Sequence, residues 1–230
     1  MIPGFVFLIA GAVICALVAQ YFYRQARRDE LARVAKALGL TYARDDDRNT
    51  TSLPFALFRK GDGNGSENLM SGQLEGRPVR LVEYWYYEES SDSKGSHSRS
   101  YHRFSCAIGL LAFDGPSLSI GHETLLSRVG QHLGLADIEL ESEEFNRAFR
   151  LHADDKKFAY AVCDGTMMAW LLATGRPYCF ETIGPFVMAY THRLRPRELP
   201  DLARALLGFG HHIPTVVASL YPAAPNEMKL

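Results

Sequence analysis

The sequence carries no signature of a known catalytic family. Its eight histidines form no HExxH and no other i, i+4 ligand pair, which excludes the usual helix-borne zinc site. There is no Gly-x-Ser-x-Gly elbow for a hydrolase nucleophile. The glycine-rich stretch 61–65 is followed by no Gly-Lys-Ser/Thr and no helix start, so it reads as a turn between strands and not as a phosphate loop. The four cysteines, Cys15, Cys106, Cys163 and Cys179, contain no CxxC and stand in apolar surroundings, as small core residues do. A net charge of −1 supplies no basic surplus, and nucleic acid is not expected as a partner. No residue is assigned a catalytic, cofactor-binding or metal-ligating role, and no cofactor is expected.

What the chain does have is an uncharged opening stretch, Ile2 to Tyr23. As a helix it would be roughly 33 Å long, about the thickness of a bilayer core. It lacks the basic n-region of a signal peptide, and bulky Leu17 spoils cleavage after Ala19. The stretch therefore predicts a retained single-pass anchor, with the lipid bilayer as partner through Ile2 to Tyr23. Arg24, Arg27, Arg28, Arg33 and Lys36 follow it, which predicts an inner-membrane protein with its N-terminus outside and its C-terminal domain cytoplasmic. A juxtamembrane amphipathic helix is expected over 24–40, with Leu31, Val34, Ala35 and Leu38 on one stripe and Gly39 as its stop.

The remainder predicts an α+β fold, a mainly antiparallel sheet packed with helices in two lobes, 41–135 and 136–214, with a loose tail over 215–230. Strands are expected over 68–74 and 78–87, joined by a tight turn at Glu75-Gly76. Both faces of the second strand are apolar, which predicts cover on both sides and core packing for its aromatics. The serine-rich segment 88–100 reads as a mobile hairpin tip. A long strand over 101–113 is expected to turn at Gly115-Pro116. A helix is expected over 123–133. Ser142 ahead of Glu143 and Glu144 is a helix N-cap in form, with a strand entered between Phe145 and His152. Asp154 and Asp164 read as caps of two short helices. A hairpin is expected about Gly184-Pro185, then an amphipathic helix over 196–209. Asp45, Asp47 and Asn49 open like a calcium loop, but Thr50 and Ala56 stand where Gly and Glu are needed, so a solvated turn is the better reading.

Several segments resemble a family. Leu38-Gly-Leu-Thr-Tyr42 after a basic helix, Asn68-Leu-Met-Ser-Gly72 and Glu141-Ser-Glu-Glu-Phe-Asn-Arg-Ala-Phe-Arg150 resemble uncharacterised bacterial single-pass membrane proteins with a cytoplasmic domain of unknown function. So do 154–160 and Met167-Met168 with Leu171-Leu172. The resemblance implies the anchored architecture and brings no activity or catalytic residues with it. The sequence thus points to a membrane-tethered binding or scaffold module with a protein or the membrane surface as its ligand. The alternative is a membrane-surface enzyme whose site is assembled only in three dimensions.

Overall fold

In the computed structural model, residues 3–91, 97–122 and 136–223 are described, with backbone only at 3–10 and 136. Helix α1 (Pro3–Ala37) leads into β1 (Thr41–Asp45), β2 (Gly63–Leu74), β3 (Arg77–Ser91) and β4 (His97–Gly121). Then come β5 (Ala136–Asp137), α2 (Glu143–Ala148), β6 (Arg150–Ala153), α3 (Lys156–Val162) and α4 (Gly165–Trp170). The chain ends in β7 (Cys179–His192), α5 (Leu199–His212) and α6 (Thr215–Leu220). The α+β class with an antiparallel sheet is as the sequence indicates.

Strands from both expected lobes join one seven-stranded sheet, in the order β1-β2-β3-β4-β6-β5, with β7 on the other side of β4. The long β4 is its spine. Its first half pairs with β3 and its last residues with β6, while β7 follows it from Phe104 to Ile120. Glu75 and Gly76 both have left-handed φ, 51° and 73°, as a tight two-residue hairpin requires.

The sheet is covered on both faces, as the apolar pattern of β3 requires. Leu81, Ala107 and Val187 pack towards the helices, against Leu31 and Ala35 of α1 and Leu202 and Leu206 of α5. Val82, Tyr84, Phe104, Cys106 and Tyr190 face the other way and are roofed by Phe55, Leu57 and Phe58. Tyr84 and Tyr86 are buried in this second layer, and the Tyr84 hydroxyl donates to the Leu57 carbonyl at 2.9 Å. Cys106, Cys163 and Cys179 are buried free thiols, and burial pushes Cys163 and Cys179 up to about 12.

Several expectations need correction. Among the described residues, no helix is long and apolar enough to cross a membrane. Past Arg24, α1 is docked on the domain by Leu31 and Ala35, both fully buried, as the apolar stripe expected over 24–40 indicates. The single-pass, N-outside inner-membrane localisation is therefore not supported, and the orientation argument falls with it.

The turns expected at Gly115-Pro116 and Gly184-Pro185 are absent. β4 and β7 run straight through them, and the two glycines face each other where the register shifts. Proline cannot donate to a ladder, so a facing pair of Gly-Pro steps makes a bulge as readily as a turn. The serine-rich segment is strand as far as Ser91 and again from His97, with Glu89 paired to Arg99; residues 92–96 lie outside the described residues. The helix expected over 123–133 also lies outside them. Phe145 belongs to the short helix α2 and not to a strand. Asp155, one residue later than expected, caps α3, and Asp164 caps α4. The first part of the tail is packed: α6 buries Val217, and the Tyr221 hydroxyl donates to Asp155 at 2.9 Å.

Candidate functional site

Glu83 stands on β3 with its side chain on the helix-covered face, 4% exposed. A carboxylate so deep in the sheet is tolerated only if it is paired and hydrogen-bonded. Arg27, from the first helix, donates to its Oε1 through both Nε, at 3.0 Å, and a terminal nitrogen. Arg193, just past β7, donates to Oε2 at 2.8 Å, and the Asn68 amide donates to the same oxygen at 2.9 Å. The Tyr42 hydroxyl donates in turn to Asn68 Oδ1 at 2.7 Å. Burial alone would push the Glu83 carboxyl up, but the hydrogen bonds from Arg193 and Arg27 outweigh it and hold it below the ordinary glutamate range. The cluster ties α1, β1, β2, β3 and the end of β7 to one acid.

Beside this cluster a cleft of about 430 Å³ opens between α1 and the sheet. That is within the ~300–1,000 Å³ of small-molecule sites. Five arginines line it: Arg24, Arg27 and Arg28 from α1, Arg103 from β4, and Arg193. Arg27 and Arg193 are committed to Glu83, and Arg103 pairs with Glu67 at 3.2 Å. Arg24 and Arg28 make no ion pair among the described residues, so they bring unpaired positive charge to the cleft there. Trp85 and Tyr101 form its aromatic wall, ring centroids 6.0 Å apart. The glycines of β2 make that wall fit: a Cβ on Gly65 would come within 2.8 Å of the Trp85 ring. This is the physical use of the glycine-rich stretch 61–65, a close approach of rings to backbone. Guanidinium groups in a cleft with flat aromatic sides suit a ligand rich in acceptor oxygens.

The sequence reading assigns no site residues, and it gives Arg24, Arg27 and Arg28 a topological role. The structure instead builds Arg27 into the Glu83 cluster and places all three in the cleft wall. The signal for this was weak: one acid on the apolar strand 78–87, and no basic residues next to Trp85 in sequence.

A second buried acid, Glu181 on β7, lies on the opposite face of the sheet. The backbone N–H groups of Ala56 and Leu57 donate to it, while Oε2 has no partner among the described residues. Burial pushes its carboxyl up to about 7, against the pull of those two amides.

No family model matches the chain, and no curated protein matches it. A solved structure shares its fold. It is the crystal structure of the mycobacterial trehalose monomycolate transport factor A, TtfA, with a TM-score of 0.62 at 10% identity, covering 87% of this chain and 98% of that one. At that identity the likeness is one of fold.

Proposed function

We propose that the chain is a non-catalytic binding factor that assists lipid transport, with the arginine–aromatic cleft taking the polar headgroup of the lipid. The observation that carries this is the fold shared along nearly the whole of both chains with a protein named for the transport of trehalose monomycolate. The cleft supports it chemically. Trp85 and Tyr101 offer flat apolar faces of the kind a sugar ring packs on, and Arg24 and Arg28 offer guanidinium donors that make no ion pair among the described residues.

The test uses the full chain purified from its own cells. Organic extraction followed by mass spectrometry is expected to release a bound polar lipid. The chain has two tryptophans, so a Trp170→Phe variant leaves Trp85 as the reporter of the cleft. Titration of this variant with the cell's own lipid extract is expected to change Trp85 emission. Adding Arg24→Gln and Arg28→Gln together is expected to weaken that response on the order of tenfold, as loss of charged hydrogen bonds does. A protein that yields no lipid and whose Trp85 emission never responds would overturn the reading.

A further inference from the structure

On the other face of the sheet, away from Glu83, lies a second cleft of about 410 Å³. Its floor is β1, β2 and β3, and its rim is the loop that follows β1. Arg80 is in that floor, 8% exposed. Its Nε is buried without a hydrogen-bond partner among the described residues, and no ion pair there engages its guanidinium. A cation in such a place costs free energy unless something pairs with it.

Asp46 and Asp47 favour the Arg80 charge from a distance, but neither forms an ion pair with it among the described residues. Asp46 spends its oxygens on the loop and on β2: Oδ2 accepts from the Thr50 N–H at 2.8 Å and from the Ser66 hydroxyl at 2.6 Å, and Oδ1 accepts from the Thr50 hydroxyl at 2.9 Å. Asp47 is at the rim and exposed, and it makes no ion pair with Arg80. Burial and then the like charge of Arg48, at the rim, weaken the hold of Arg80 on its proton and outweigh the favourable charges of Asp46 and Asp47. Thr41 and Ser71 add hydroxyls to the same wall, and Gln73 adds an amide. Two guanidiniums, two hydroxyls and an amide around a space with one unpaired buried cation are the parts of an oxyanion cradle.

We propose that this cleft binds a phosphate group, held by Arg80 from the floor and Arg48 from the rim. The group belongs either to a soluble phosphorylated molecule or to a phosphate-bearing lipid headgroup. The site is independent of the α1 cleft and of the transport reading.

The test follows the melting temperature of the full chain as inorganic phosphate replaces chloride at constant ionic strength. A ligand that binds only the folded state raises it with the logarithm of concentration. That rise is expected for the natural chain. Arg80→Met keeps the aliphatic stem and removes the unpaired charge, so it is expected to be at least as stable without phosphate and to lose the rise. Arg48 is exposed, so Arg48→Gln is expected to fold whatever becomes of the Arg80 variant, and to need on the order of tenfold more phosphate for the same rise. Sedimentation with vesicles containing phosphatidic acid separates the two sources. Binding that depends on Arg48 and Arg80 assigns the phosphate to a lipid headgroup, and phosphate stabilisation without vesicle binding assigns it to a soluble molecule. No phosphate-specific rise in the natural chain, or a rise left unchanged by both substitutions, would overturn the site.

Discussion

Gly115 of β4 stands opposite Gly184 of β7, and the buried Phe158 ring of α3 lies against Gly115 where a side chain would be. A Cβ at Gly115 would sit 2.6 Å from Phe158 Cζ, and the ring is fully buried with little room to yield. Gly184 has φ 57°, the left-handed region that glycine enters at no cost. Gly115→Ala is therefore expected to destabilise the fold by about 1–3 kcal/mol through overpacking. Adding Phe158→Leu should return part of that loss, a non-additivity that a denaturant double-mutant cycle would measure. Additive costs would show that Phe158 is not what Gly115 accommodates.

Glu83 gives an acid-side dependence. Its carboxyl is held below the ordinary value of 4.5, so it contributes stability that is complete above that value. The contribution is lost as pH falls below 4.5 and through the lower folded value. Glu83→Gln leaves the half-buried Arg27 and Arg193 facing a neutral amide, and is expected to cost about 2–3 kcal/mol at neutral pH. Urea unfolding between pH 3 and 7 should show the acid loss in the natural chain and a flatter profile for this residue's contribution in the variant.

Glu181 gives the opposite sign. Its folded value, about 7, is above the ordinary 4.5, so the folded state holds a proton that the unfolded chain releases. Its contribution is full below about 4.5, declines as pH rises from there, and is gone above about 7. Glu181→Gln imitates the protonated acid towards Ala56 and Leu57 and is expected to remove that decline. Unfolding free energies from pH 4.5 to 8 with an equal slope in both proteins would refute the assignment.

Phe145 and Phe149 are buried and stacked, ring centroids 5.1 Å apart, on either side of the end of α2. Truncation of either to Ala is expected to cost about 3–5 kcal/mol in equilibrium unfolding. Both should also release their partner ring, so the double variant is expected to lose less than the sum of the two.

Features set by a few adjacent residues were legible in the sequence. Ser142 and Asp164 cap helices because a short side-chain oxygen reaches the N–H groups just after it, at 3.2 and 2.8 Å. Glu75-Gly76 makes a hairpin because both residues accept left-handed φ. The double-sided apolar pattern of β3 announced the two-layer core. Other features depended on partners far along the chain. A Gly-Pro step looks the same locally in a turn and in a bulge, and the register of β4 on β7, with the Phe158 ring against Gly115, decided between them. The uncharged opening stretch reads as an anchor because its length matches a bilayer core, whereas among the described residues no helix is long and apolar enough to cross one. The α1 cleft was hidden because its lining comes from elements far apart in the chain. Arg27 and Arg193 reach Glu83 across 56 and 110 positions of sequence, a distance that only the antiparallel pairing of β3, β4 and β7 closes.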